Sequence, residues 1–220
     1  MKNFLLCALV CTCLSHGLLA GQFRILGLDQ IDGLEELYFV QNGEVKSAFV
    51  SSRYPTEKFD IPQSLRVSFF ATPPKPDLTQ RPVLTLDFPN AGTDYLALLR
   101  ITSASGVEAY TPIYLDDSDR NFPRGSAMIC NYTLRTIVAQ IDGDLVKLPS
   151  GQTDVIQLSK NGKDQFNGGV KFAAEFDGTG KVFSISSWYV SPSTKIFCLI
   201  YPDEYGQPLV RRVRLTAGEA

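Results

Sequence analysis

Residues 37–50, LYFVQNGEVKSAFV, are the stretch on which the fold turns. Two short, apolar-rich runs flank Asn42-Gly43. Asn-Gly accepts positive φ at both central positions, so it closes a two-residue hairpin whose twist suits the flanking strands. The same grammar extends outward. Residues 65–70 and 83–88 are predicted strands; between them Pro73, Pro74, Pro76 and Pro82 lack the donor that a sheet ladder needs, so that segment is a loop. Residues 95–102 and 107–115 form a predicted hairpin about Ser105-Gly106.

A second β-pattern follows the polar stretch 116–125, DDSDRNFPRG. Its predicted strands are 127–133, 136–141, 144–148, 154–158, 170–176, 182–190, 195–201 and 209–215, with turns at Asp142-Gly143 and at 177–180 and a Gly-rich polar loop at 160–169. No run of ten residues keeps a helical period. The expected fold class is therefore all-β, an antiparallel β-sandwich. Both halves open with an apolar strand and a Gly hairpin and close with a hairpin, which suggests two tandem Ig-like sandwich domains at 22–115 and 126–220, joined by a linker at 116–125. A single larger sandwich is the alternative.

Residues 1–21 read as a signal peptide: Lys2, an apolar run from Phe4 to Leu14, then small and turn-prone residues. An apolar run of that length suits an export signal and is too short to span a bilayer. Ala20 suits the last position before cleavage, with Gly17 as the other option. The expected location is secreted, periplasmic or cell-envelope, with no membrane span in the mature chain. Removing Lys2 takes the formal charge from −2 to −3. A mildly acidic surface without a basic block offers nucleic acid no footprint. Arg211, Arg212 and Arg214 lie in a strand pattern and read as a solvated strand face.

Leu115-Asp116-Asp117-Ser118, Phe122-Pro123-Arg124-Gly125-Ser126 and Asn131-Tyr132-Thr133, followed by the hairpin of 143–151, together resemble a segment of uncharacterised families of exported bacterial proteins. The resemblance covers roughly the C-terminal half. It implies export and a β-sandwich, and brings no activity with it.

The only histidine, His16, lies in the signal peptide, as do Cys7, Cys11 and Cys13. The mature chain thus lacks the side chain that most often serves as a general base or zinc ligand. Cys130 and Cys198 remain, both in apolar runs; they are either a disulfide or two buried thiols. Asp116, Asp117 and Asp119 are read as turn-capping residues, with a calcium loop as the alternative, although the spacing lacks the Gly and the distal Glu of such a loop. Glu108, Asp154 and Glu175 are the strand-borne acids that a glycosidase could use, with nothing to pair them. Trp188, Tyr189, Tyr110, Tyr114, Tyr201 and Tyr205 are the candidate platforms for sugar, against core packing. Asn131-Tyr132-Thr133 matches a glycosylation acceptor but falls in a strand pattern. The expectation is a non-enzymatic exported protein with a structural or interaction role, without catalytic residues, metal or cofactor, and with a protein or surface polysaccharide as partner. A carbohydrate- or other ligand-binding module is the alternative.

Overall fold

The computed structural model describes residues 21–29, 31–75, 80–104, 107–159, 164–176 and 179–216. The expected signal segment up to residue 20, Pro76, the Ser105-Gly106 and Asp177-Gly178 turn residues and positions 160–163 of the expected loop lie outside the described residues. All regular structure among the described residues is β. The first half comprises β1 (Gln22–Gly27), β2 (Glu36–Gln41), β3 (Glu44–Phe49), β4 (Phe59–Asp60), β5 (Arg66–Phe69), β6 (Leu84–Asp87), β7 (Tyr95–Ala104) and β8 (Val107–Asp116). The second comprises β9 (Ser126–Asn131), β10 (Ile137–Ile141), β11 (Asp144–Leu148), β12 (Thr153–Gln157), β13 (Phe166–Phe176), β14 (Thr179–Val190), β15 (Thr194–Pro202) and β16 (Pro208–Thr216).

The two hairpins that open each outer sheet form as their turn residues dictate. Asn42 and Gly43 have φ of 53° and 80°, and Asp142 and Gly143 have 49° and 97°. Those values are the positive-φ pair that a two-residue turn requires.

The strands build four layers. One outer layer is β2-β3 and β5-β6, joined where Tyr38 and Phe70 exchange backbone hydrogen bonds of 2.9 and 2.7 Å. Beneath it lies the sheet β4-β1-β7-β8, then β12-β9-β15-β16, then the second outer sheet β11-β10-β13-β14. Each strand in the first half thus has a counterpart eight strands later at the same place in its sheet. The sequence reading expected antiparallel sheets, but β1 pairs β7 in parallel and β9 pairs β15 in parallel. Hairpin turns are local signals and report only antiparallel neighbours; a pairing between strands some seventy residues apart is invisible to them.

Those parallel pairs are buried on both faces, as parallel strands usually are. In β7, Tyr95, Ala97 and Leu99 enter the first core with Phe23, Phe39 and Phe69, while Leu96 and Leu98 point the opposite way. In β15, Ile196, Cys198 and Ile200 enter the second core with Phe172 and Trp188, while Phe197 and Leu199 point away. The leftover faces meet. Leu26, Leu96, Leu98, Met128, Phe197 and Val213 belong to a third apolar core between the two inner sheets.

Residues 116–125, expected as a linker, are pinned into this junction. Phe122 is buried in the third core and Asp117 is only 2% exposed. The strand expected at 127–133 stops at Asn131, and the Gly-rich segment 166–169, expected as loop, belongs to β13.

The third core, shared by both halves, is expected to tie them into one unfolding unit. Leu98→Ala, in the first half, is expected to cost about 2–5 kcal/mol as a buried truncation. The loss should appear equally in far-ultraviolet circular dichroism and in the fluorescence of Trp188, the chain's single Trp, which reports the second half. Denaturation curves from the two probes that part from one another would refute the coupling.

Candidate functional site

Alternation along β1 places Phe23 and Ile25 in the first core and turns Arg24 toward the junction. Lys195 precedes Ile196 in β15 and so faces the same layer as Phe197. Both cations converge on Asp117, just past the end of β8. Arg24 reaches Asp117 Oδ2 through Nε at 2.7 Å and Nη2 at 2.6 Å. Lys195 Nζ donates to the Asp117 carbonyl at 2.6 Å, lies 3.3 Å from its Oδ1 and pairs with Asp119 Oδ1 at 2.9 Å. The same ammonium sits 5.1 Å from the centre of the Phe122 ring. Burial alone would push the Asp119 carboxyl up, but Lys195 and then Arg124, at 3.2 Å, hold it below its ordinary value.

The three aspartates divide between two roles. Asp117 and Asp119 are neutralised by side-chain cations. Asp116 accepts from Ser118 N at 2.9 Å and Asn121 Nδ2 at 2.5 Å, the turn-capping role expected of it. Among the described residues no group of three acids, thiols or imidazoles gathers in a metal-binding geometry.

The other candidates disperse. Glu108, Asp154 and Glu175 lie on β8, β12 and β13, which belong to three different sheets. Trp188 is buried, with Nε1 donating to Ser186 Oγ at 2.9 Å, while Tyr189 faces out. Tyr110 and Tyr114 are held in the first half, their hydroxyls accepting from Ile31 N and Asp87 N. Tyr205 is exposed in the turn at 203–207, away from Tyr189, and Tyr201 is packed against the third core, so the named aromatics share no single face.

Asn131 is not a glycosylation acceptor in this fold. It is buried at the end of β9, where its amide donates to the carbonyls of Arg135, Leu148 and Pro149 at 2.8–3.1 Å. Its Oδ1 accepts from Thr133 N and Oγ1. The triplet is a turn clamp, with every polar atom of the amide occupied.

The possible disulfide between Cys130 and Cys198 is corrected: both are free buried thiols. They lie on adjacent strands, but the parallel register pairs Cys198 with Ile129 and Cys130 with Leu199. Neighbours offset by one residue point to opposite faces, so Cys130 enters the third core and Cys198 the second. A disulfide needs the two Cβ atoms to face each other. Burial pushes the Cys130 thiol up to about 11 and that of Cys198 further still.

Two open grooves mark the surface: one of ≈670 Å³ over the outer sheet, lined by Val138, Lys147, Ala173 and Glu175 among others, and one of ≈590 Å³ between the 51–54 turn and β16, lined by Arg53, Tyr54 and residues 211–214 among others. Arg211 donates to the carbonyls of Leu28 and Ser52, tying β16 to the first half. Arg212 and Arg214 lean across to β14, donating to Ser187 O and Tyr189 O, both at 3.1 Å, and lie over the Trp188 and Tyr189 rings. The sequence reading placed these three arginines on a solvated strand face. It did not single out Arg53, Arg24 or Lys195. The signal for the last two was available: each is a lone cation beside an unbroken apolar run, FRIL at 23–26 and KIFCLI at 195–200.

Asp117→Ala leaves two buried cations without their shared carboxylate and is expected to cost about 3–5 kcal/mol, well above Asp116→Ala; urea melts of both variants check this. Alkylation at pH 8 without reductant should leave Cys130 and Cys198 unmodified in the native protein and modify both in guanidinium. Because the Cys130 thiol ionises more readily unfolded, near 9.0, than folded, near 11, its contribution to stability is full below pH 9 and is lost as pH rises toward 11.

No protein-family model matches this chain, and no curated protein is similar to it.

Proposed function

We propose that the protein is an exported, non-enzymatic structural or interaction protein of the cell envelope or extracellular space. The observation that carries this reading is the solvent face of the outer sheet β11-β10-β13-β14. There Leu145, Gln140, Lys171 and Ile185 stand in one row across all four strands. The two ends of that row, Leu145 and Ile185, are each 71% exposed, and Val182 is exposed in the adjoining row. A sheet face that carries large apolar side chains in water is suited to being covered by a partner. The buried charges, by contrast, are spent on joining the halves, and the two thiols are inert by burial.

Gly21, counted with the expected signal segment, packs within the fold. It is buried, its N–H donates to Ala91 O at 2.5 Å, and its carbonyl accepts from Ile61 N at 2.9 Å. A Cβ there would come 2.2 Å from Thr93 O, so position 21 is glycine for a reason of the fold. In this reading the boundary of the removed segment is taken at Ala20, the last position that the small-residue preference favours.

In cells making the full chain, the protein is expected outside the cytoplasm with Gly21 as its first residue, read by N-terminal sequencing, and associated with envelope or extracellular material. The double variant Leu145→Glu, Ile185→Glu should release it into the soluble exported fraction without lowering its melting temperature. Intact Met1 in the cytosol would overturn export; unchanged association of the double variant would overturn the role of this face.

A further inference from the structure

We propose that the chain assembles head to tail with further copies of itself, the outer layer of the first half of one copy lying on the outer sheet of the second half of the next. The four-layer stack ends in two solvent faces, and both carry large apolar side chains. In β2 and β3, Leu37, Phe39 and Ala48 point into the first core, so alternation turns Tyr38, Val40, Val45 and Phe49 outward. The register sets Val40 beside Val45 and Phe49 beside Glu36. Val40, Val45 and Phe49 are 48–62% exposed. Leu145, Val182 and Ile185 stand on the face at the other end of the stack. A molecule with an apolar patch at each end has two surfaces that gain by being covered.

The third core already joins one half to the other by laying sheet face on sheet face, so a second copy offers a surface of the right build at either end. Charge decides which end meets which. The outward-facing strand residues of β11-β10-β13-β14 include Lys147, Lys171 and Glu175, a balance of one positive charge. Among the described residues none of these three is in an ion pair. The outward-facing strand residues of the other end include Glu36, Arg66 and Asp87, a balance of one negative charge. There Arg66 and Asp87 neutralise each other at 2.5 Å, and the Glu36 carboxylate meets only the Tyr38 hydroxyl, at 2.7 Å. Unlike ends therefore attract, whereas either face laid on its own copy gathers like charge in one layer. A contact between two different faces is heterologous. Because those faces lie at opposite ends of the stack it does not close, and copies add in line. Four strands about 4.8 Å apart and some six residues long cover roughly 400 Å², so two faces bury about 800 Å², which makes this a weak, concentration-dependent contact. The inference rests on the reading that the face of β11-β10-β13-β14 is covered, and names what covers it.

The test is sedimentation velocity on the purified chain beginning at Gly21, from about 10 to about 500 μM, the range in which a contact of this size is populated. The average mass is expected to climb past that of a dimer without a plateau. Phe49→Glu spoils one end, and the double variant Leu145→Glu, Ile185→Glu spoils the other. Each should weaken association roughly tenfold or more at an unchanged melting temperature. Mixed one to one, the two variants keep one good end apiece and should form a dimer and nothing larger. Glu36→Lys, which removes no apolar group, should weaken association at low salt, with the difference fading as salt rises. A wild-type chain that stays monomeric across the range, a plateau at the dimer, assembly that survives either face variant, or a mixture that stays monomeric overturns the head-to-tail contact. A monomeric wild-type chain whose Leu145→Glu, Ile185→Glu variant still loses its envelope association puts a foreign partner on that face: the exported interaction role stands and the self-assembly falls. Assembly by a chain found in the cytosol does the reverse.

Discussion

Two strand pairs in this chain are apolar on both faces, and the rest of the structure follows from covering them. β1 with β7 and β9 with β15 each send one set of side chains into their own sandwich core and the other set away from it. A sandwich of two sheets can cover only one face of each. The second face of each inner sheet is covered by the other, and the outcome is a stack of four sheets with three apolar layers. Two separate sandwiches on a flexible tether would leave Leu98, Met128, Phe197 and Val213 in water, at a cost of order 1.5–3 kcal/mol for each large side chain.

That junction also explains why its charges are where they are. Arg24 and Lys195 occupy junction-facing positions of strands that are otherwise apolar, and Asp117, on the segment between the halves, meets both. An ion pair in a dry layer contributes little net stability over a well-packed apolar substitute, because desolvation offsets the attraction. It does fix which parts can meet: the segment after β8 can seat only where both cations reach its carboxylate. Phe122, under the Lys195 ammonium, adds shape to the same fit. The motif of residues 115–133 is thus a set of structural parts: a capped turn, a buried ion, a buried ring and the Asn131 clamp.

The strand edges are treated in a related way. β16 ends its sheet, and an unpaired strand edge invites pairing with other chains. Here Arg212 and Arg214 reach from β16 to carbonyls of β14, and Arg211 reaches to the first half. Arginine suits this because its long apolar stem packs while its fork donates in several directions.

What the sequence by itself determined is what neighbouring residues decide together. Asn42-Gly43 and Asp142-Gly143 make tight turns through the φ preferences of two adjacent residues, the prolines of 73–82 exclude a ladder, and alternation marks strands. The absence of histidine after His16 needs no structure either. What only the tertiary structure decided depends on residues far apart in the chain. The parallel pairings, the opposite faces of Cys130 and Cys198, and the burial of the 116–125 stretch all follow from which faces must be covered. The groove beside β16 is the plainest case: Arg53 stands far from residues 211–214 in sequence, and no local pattern relates them. A turn is set by torsion angles within a few residues, whereas a site between two sheets exists only once the apolar layer beneath it has closed.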